Sequence, residues 1–457
     1  MPEKTCAQQK EFFHTGRTRP YEFRIAQLRK LGKAVESAEK DIYNALYTDL
    51  KRPPSEVYTS ENAFIMAEIR YAMKHLHRWM KSQKVKTPLL GFPGKSYVYP
   101  EPYGICGIFS PWNYPFQLSL VPLVGSITAG NCAILKPSEI GPASSVVIER
   151  IINENFDPSY IKCITGGKEI ANELLQAPLD CIFFTGSTRV GSIVMQEAGR
   201  RLIPVVLELG GKSPCIITTD VPLEVTVRRI LWGKFINAGQ TCIAPDYLLV
   251  PRAMSDEFLE VSRKVLLEFY GPDPGKSPDY SRMINQNHME RLINLAEHST
   301  CVIGGEFNRD ELYISPSIYY PVDWNEPIMQ EEIFGPLLPV IPYDSLEQVI
   351  KTLQTKEHPL ALYLFSRSNN TIQQVIKAVK AGGFCVNDTL VQVASTHLPF
   401  GGVGSSGLGK YHGYASFKEL SHYKSVMKRG FRPDFAFRYP PNNISLPILK
   451  RLTRFLF

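Results

Sequence analysis

Leu28, Leu31, Val35, Ala38, Ile42 and Leu46 recur every three or four residues with charged residues between them, the spacing of a helix with one apolar face. The pattern predicts long helices over 21–80, the second beginning near Ser60 and Glu61 and ending near Trp79. Residues 86–104 break this period; rich in Gly, Pro and Tyr, they read as an extended or hairpin segment. From 105 the pattern alternates. The short apolar runs ICGIFS (105–110), CAILKP (132–137), IKCIT (161–165) and CIFFTGS (181–187) read as strands. Helices are expected over 118–129, from Pro142, and from about Arg189, and LIPVVLELGG (202–211) closes the region. Strands alternating with helices imply a parallel sheet covered on both faces. The same style returns over 212–398, with strands at SPCIITT, YLLVP, LALYLFS and FCVND and helices over 222–237, 254–270 and 370–381, a second α/β unit. No internal repeat or low-complexity segment interrupts it.

Length and composition narrow the class without naming it. A chain of 457 residues fits two to four domains, and 44% hydrophobic with 21% charged residues is ordinary for a soluble globular protein. The nine cysteines are odd in number and scattered, with no CxxC pair, and the nine histidines form no HExxH. These counts argue against a disulfide framework and a metal site, and for a reducing compartment. The N-terminal MPEKTCAQQKEFF has no apolar signal core, and no run of about 18 apolar residues exists. The expected location is cytoplasmic. From Lys424 onward there are eight basic residues and one acid, which account for the whole net charge of +7. The neutral body is not a nucleic-acid surface, and the tail is the basic element.

Several stretches carry candidate chemistry. In FFTGSTRVG (183–191) a strand ends at Gly186 and a helix begins, so free N–H groups and the helix dipole would suit a phosphate. It is neither a P-loop nor a full GxGxxG, and alone it fits a plain strand-to-helix turn equally well. LKPSE (135–139) puts Lys136 and Glu139 at a strand's carboxyl end, where they could hydrogen-bond a ribose; taken alone, surface charge is the simpler reading. Glu208 in LELGGK sits in an apolar run, which suits either a general base or a buried ion pair. Cys242 in NAGQTCIAPDY is either an inert buried thiol or a nucleophile. The glycine-rich 398–417 is a surface loop or one folded tightly beside a site.

Taken together and in order, PWNYP, KPSE, FTGST, LELGGK, GQTC and EEIFGP resemble the NAD(P)-dependent aldehyde dehydrogenase superfamily. GQTCIAPDY, FGGVGSSGLGKYHG and RYPP are most similar to its class 3 and fatty aldehyde dehydrogenase branch, and the resemblance runs from about residue 10 to 440. It implies an α/β fold with a Rossmann-type parallel-sheet cofactor domain (1–80 and 100–208), an α/β catalytic domain (209–398) and a small bridging element (81–99 and 399–430) that pairs subunits, with a C-terminal extension over 431–457. It implies Cys242 as nucleophile, Asn113 as oxyanion donor and Glu208 as the base that hydrolyses a thioester. For the cofactor it implies Gly186, Ser187 and Gly191 beside the pyrophosphate, Lys136 and Glu139 near the adenosine ribose, and Glu332 and Phe334 around the nicotinamide ribose. Both NAD and NADP are expected, in a homodimer acting on medium- to long-chain or other apolar aldehydes. By the same resemblance His412 is a packing or funnel residue and Asn387 an orienting one. Two alternatives stay open: a CoA-acylating enzyme or semialdehyde reductase, and a retired homologue that only binds.

The tail adds one feature. Ile448, Leu449, Leu452, Phe455 and Leu456 fall on one face of a helix starting at Pro447, and Lys450, Arg451 and Arg454 on the other. Such a helix packs on the body or a dimer mate, lies peripherally on an anionic membrane, or caps the substrate entrance.

Overall fold

The computed structural model describes residues 2–434, 438–441 and 444–456. Two parallel sheets form its core. In the first, strands Val205–Glu208, Cys181–Thr185, Ile105–Ser110, Cys132–Pro137 and Ile161–Cys163 lie side by side in that order, all parallel. The two central strands are fully buried, as expected of apolar runs covered on both faces. The second sheet has seven strands and is parallel throughout except for its outermost strand, Cys301–Ile303. Its middle is formed by Leu337–Tyr343, Tyr247–Pro251, Pro214–Ile217 and Ala361–Phe365. The strands within 300–343 did not stand out in the sequence, being two to seven residues long and lacking the strand–helix alternation around them.

The N-terminal helices differ from the simple periodic reading. An additional helix, Pro2–His14, precedes them, and Ala38 separates Tyr21–Ser37 from Glu39–Leu50. The next helical run begins at Pro54 rather than at Ser60. Proline suits a first helical position because the missing N–H would have no partner there. That run passes through a wide turn, Tyr58–Asn62, before Ala63–Trp79. The helix expected from 118 likewise starts at a proline, Pro115.

The small sheet is antiparallel. Strands Gln83–Val85, Lys95–Pro102 and Ser421–Lys428 lie in that order, and Ser421–Lys428 pairs along its full length with Lys95–Pro102. The glycine-rich chain between 399 and 420 goes elsewhere: Gly407 and Leu408 pair antiparallel with Glu208 and Leu207 at the edge of the first sheet. Helix Leu446–Leu456 ends the described chain with Leu446, Ile448 and Leu449 exposed, while the side chains of Leu452, Phe455 and Leu456 lie outside the described residues.

Candidate active site

The carboxyl ends of the first sheet's parallel strands all reach one edge, the usual ligand side of such sheets. Asn113, Lys136, Gly186, Ser187 and Glu208 all sit at or just beyond these ends. Beside that edge is a cavity of about 240 Å³ with walls from both halves of the chain: Leu118 and Glu208 from one, Trp232, Ile243 and Leu390 from the other, and Phe400 from the glycine-rich loop. Cys242 also lines it.

The turn carrying Cys242 is held against its own preference. Helix Leu223–Phe235 stops short of the expected 237, and Asn237 and Ala238 take left-handed backbones with φ of 51° and 50°. Such conformations cost on the order of 1–3 kcal/mol each in non-glycine residues and persist only where the surroundings enforce them. Asn237 Nδ2 donates to Asn113 O at 3.1 Å and Gln240 O at 3.2 Å. Gln240 Nε2 donates to Asn237 O at 2.9 Å and Arg282 O at 3.0 Å, and its Oε1 accepts from Ile284 N at 3.0 Å. The result is a partly exposed Cys242 facing the cavity. Burial pushes its thiol up to about 12, with the Glu332 and Glu208 carboxylates adding to the rise.

Asn113 lies behind this turn, 2% exposed, with Nδ2 donating to Gln240 O at 3.1 Å and Oδ1 unpartnered. The next residue ties the same two turns again, through Tyr114 Oη and Thr241 Oγ1 at 2.8 Å. Glu208 is also 2% exposed, and among the described residues neither carboxylate oxygen has a hydrogen-bond partner. Burial raises it well above the ordinary carboxylate range, Lys410 pulls it back, and Glu419 pushes it further up. The glycine-rich loop closes on it: Gly401, at φ 152°, stands where a Cβ would come within 2.7 Å of Glu208 Oε1. That expected tight fold beside a site is therefore present, with Lys410 Nζ donating to the carbonyls of Gly401 and, at 3.3 Å, Gly402.

Glu332 rests against the glycines after Glu208; a Cβ at Gly210 would lie 1.9 Å from its Oε2. Burial and then Asp246 raise it to about 8, against the Gly211 N–H, Lys212 and Arg291. Phe334 has a left-handed backbone (φ 52°) and meets Trp112 edge-on at 5.5 Å. A second cavity of about 380 Å³ runs from Thr188 past Gly211 and Lys212 to Glu332.

The dinucleotide expectation can be tested on these groups. Ser187 caps helix Thr188–Arg201 with a left-over face of first-turn N–H groups, its Oγ accepting from Val190 N at 3.4 Å. Gly191 lets that helix approach the sheet, since a Cβ there would lie 2.4 Å from Leu209 Cδ2. Lys136, buried, spends two of its three donors on Pro137 O (2.8 Å) and Glu139 Oε2 (3.1 Å), leaving one. Glu139 itself is 47% exposed. A helix N-terminus, a lysine with a spare donor and a carboxylate at the far end of an adjoining cavity fit a phosphate and two riboses. Among the described residues no cluster of three or more His, Cys, Asp or Glu could hold a metal ion.

The two residues of uncertain part are placed as well. His412 is buried, 2.9 Å from Glu68 Oε1, and packs on Phe64 and Phe400, which line the cavity. Asn387 lines neither cavity; its amide bridges the Ser366 N–H (2.8 Å) and carbonyl (3.0 Å). Sequence reading missed the groups behind the site, Arg52, Glu56, Glu61 and Lys410. Arg52 and Glu56 stand four apart around a Pro-Pro, a helix-start signature, but nothing local tells that Arg52 also holds the carbonyl of Asn113, 61 residues on.

The chain matches the model of the aldehyde dehydrogenase family over residues 3–426. It is 47% identical to the 4,4'-diaponeurosporen-aldehyde dehydrogenase of Staphylococcus aureus over 434 residues, 94% of this chain and 95% of that protein. It is 41% identical to a mouse protein described as "aldehyde dehydrogenase, dimeric NADP-preferring", covering 96% and 97% of the two. A solved structure described as the substrate-bound state of Staphylococcus aureus AldH superposes with a TM-score of 0.96 at 45% identity, covering 99% of each chain.

Proposed function

The chain belongs to the aldehyde dehydrogenase family, an oxidoreductase family of NAD(P)-dependent aldehyde oxidation, and from that premise we propose that it converts medium- to long-chain or other apolar aldehydes to carboxylic acids through a thioester on Cys242. The observation that carries this reading is the cavity: an apolar chamber in which a cysteine and an unpartnered carboxylate line the same space. An apolar wall binds an alkyl or polyene chain by removing it from water, with about 25 cal/mol for each Å² buried.

Cys242 Sγ, as thiolate, bonds to the aldehyde carbon, and the carbonyl oxygen takes up the negative charge. That oxygen accepts hydrogen bonds from Asn113 Nδ2 and from the Cys242 backbone N–H. A donor of this kind is typically worth about 3–4 kcal/mol in the transition state. When bound, NAD or NADP supplies the acceptor for the hydride that leaves the same carbon. Gly186 and Ser187 would let the pyrophosphate approach the N-terminus of the helix that Gly191 seats against the sheet, Lys136 and Glu139 would hold the adenosine ribose, and Glu332 with Phe334 would hold the nicotinamide ribose. Glu208 then takes a proton from water, whose oxygen adds to the thioester carbon; the C–S bond breaks and the acid leaves. A carboxylate raised by burial and left without a partner suits this task because it is a stronger base than an ordinary one and has free lone pairs facing the cavity. It also favours hydrolysis over acyl transfer to CoA, which needs no base at this position.

The test is the rate of reduced-nicotinamide formation, read by absorbance, over aldehydes from short alkyl to polyene, with NAD and with NADP. The rate rises with chain length and is lost in Cys242→Ala. Equal rates for short and long aldehydes would overturn the substrate class, and an active Cys242→Ala would overturn the mechanism.

Two features of assembly follow. Among the described residues the strand Ser421–Lys428 leaves one edge of the small sheet unpaired, which supports pairing with a second copy. No described helix is long and apolar enough to cross a membrane. The terminal helix nevertheless exposes Leu446, Ile448 and Leu449 beside Lys450 and Arg451, which favours a peripheral contact with an anionic bilayer over packing on the body. Sedimentation with phosphatidylserine-containing vesicles checks it: the full chain pellets, a chain ending at residue 444 stays in solution, and equal behaviour of the two refutes the contact.

A further inference from the structure

Behind the oxyanion donor lies a cluster with no part in the mechanism above. Arg52 is completely buried, and its donors radiate to four acceptors. Nε donates to Glu56 Oε1 at 3.0 Å, Nη1 to Glu61 Oε1 at 3.0 Å and to the backbone carbonyl of Asn113 at 3.2 Å, and Nη2 to Ser60 Oγ at 2.6 Å. Its guanidinium also stands 4.4 Å from the centre of the Tyr114 ring. Glu61 is held from its other side, Oε2 accepting from Gln117 N at 2.6 Å in the first turn of the helix that follows Asn113. The wide turn at Tyr58–Asn62 places Ser60 and Glu61 on this one guanidinium.

The cluster continues into the cysteine turn. The Asn113 carbonyl held by Arg52 is the one that also accepts from Asn237 Nδ2. The Asn237 backbone N–H in turn lies close enough to the Glu56 carboxylate to lower its affinity for a proton. Tyr114, under the guanidinium, reaches Thr241, next to Cys242. Arg52 thus holds the chain at the Asn113 carbonyl and at the next residue, Tyr114, and reaches the 237–241 turn through the same carbonyl, shared with Asn237, and through Tyr114, which meets Thr241. Five fixed N–H donors in a plane can span such a set; a lysine ammonium on the same site cannot.

We propose that Arg52 is the positioning residue of the oxyanion site, its fork locking the main chain of Asn113 against the 237–242 turn so that Asn113 Nδ2 and the Cys242 N–H converge on one point. This rests on the reading of Asn113 as the oxyanion donor. Arg52 contacts neither substrate nor cysteine, and its whole effect passes through the geometry of Asn113 and the turn. Small misplacements of such donors are costly because the energy gained in the transition state depends steeply on alignment.

The experiment is a double-mutant cycle with Arg52→Lys and Asn113→Ala in the full-length enzyme, with kcat and KM measured for one long-chain aldehyde and folding checked by melting and by the rate of Cys242 alkylation with iodoacetamide. Arg52→Lys lowers kcat about 10- to 100-fold, and kcat/KM by the same factor, with KM unchanged. In the Asn113→Ala background the same change costs less than about two-fold, because the donor it positions is gone. Additive losses, or a loss confined to KM, would mean that Arg52 serves only the packing of the region and would overturn the proposal. If Arg52→Lys does not fold, Glu56→Gln, which loosens the hold on Nε, must show the same coupling to Asn113→Ala. Full activity in Asn113→Ala alone would instead overturn the oxyanion reading itself, so the two failures are told apart.

Discussion

Glu208 and Glu61 are both buried carboxylates near the candidate site, and they are treated in opposite ways. Glu61 spends both oxygens, one on Arg52 and one on the Gln117 N–H, and together with Glu56 it surrounds a guanidinium. Glu208 spends neither, has Lys410 only as a distant attraction, and faces the cavity. Burial raises both, Glu61 to about 7 despite Arg52 and Glu208 well above its ordinary range. An unpaired buried acid costs stability, and such groups are kept where a reaction needs a free lone pair. On the proposed mechanism the contrast separates a charge that builds the site from one that acts in it.

The largest effect expected from breaking the contrast is at Glu208. On the proposed mechanism Glu208→Gln lowers steady-state turnover by about 100- to 10,000-fold while leaving a first burst of reduced nicotinamide, since it would remove the base for thioester hydrolysis and not the nucleophile. Stopped-flow absorbance checks it, and loss of the burst would place Glu208 before the hydride step. The stability of the same variant moves the other way. A carboxyl whose folded affinity for protons is raised contributes its stability at low pH and loses it as pH rises through that raised value. Glu208→Gln therefore melts above the parent at pH 8 and comes close to it at pH 5.

Next in size is Arg52→Met, which leaves Glu56 and Glu61 facing each other without their cation. It costs about 3–5 kcal/mol at pH 8 by denaturant unfolding. The deficit shrinks toward pH 5, because both carboxyls take up protons in the folded state as pH falls toward the ordinary carboxylate range. A pH-independent deficit would point to lost packing instead.

Glu332 stands between the two cases, pushed up to about 8 yet touching the Gly211 N–H. After burial, it is the largest contributor to the high value of the Cys242 thiol. Glu332→Gln removes that negative charge, so the pH midpoint of Cys242 alkylation by iodoacetamide moves down, a smaller effect than the other two. An unmoved midpoint would show that desolvation alone holds the thiol protonated.

The candidate site was legible through the order of its motifs taken together, since each alone has a plainer reading, while the local form of each segment follows from its own sequence. FTGST ends an apolar strand and starts a helix at a serine cap; LELGG ends another strand with glycines that leave room for Glu332. The groups behind the site were not readable. Arg52 looks like any charged residue beside a helix start, and its burial follows from contacts with residues 113 and 114, far along the chain. The strained backbone at Asn237 and Ala238 was hidden for the same reason, since a helical pattern over 222–237 gives no hint that tertiary hydrogen bonds override it at the end.

The alternation of strands and helices, the neutral body with its basic tail, and the order of the cysteine, amide and carboxylates are written along the chain, because periodicity, capping and composition are local properties. Which of the buried charges are paired, how the chain after 399 turns back to cover Glu208, and how Arg52 braces Asn113 emerge with folding. Desolvation and hydrogen-bond satisfaction depend on everything that surrounds a group, and those surroundings come from parts of the chain that only folding brings together.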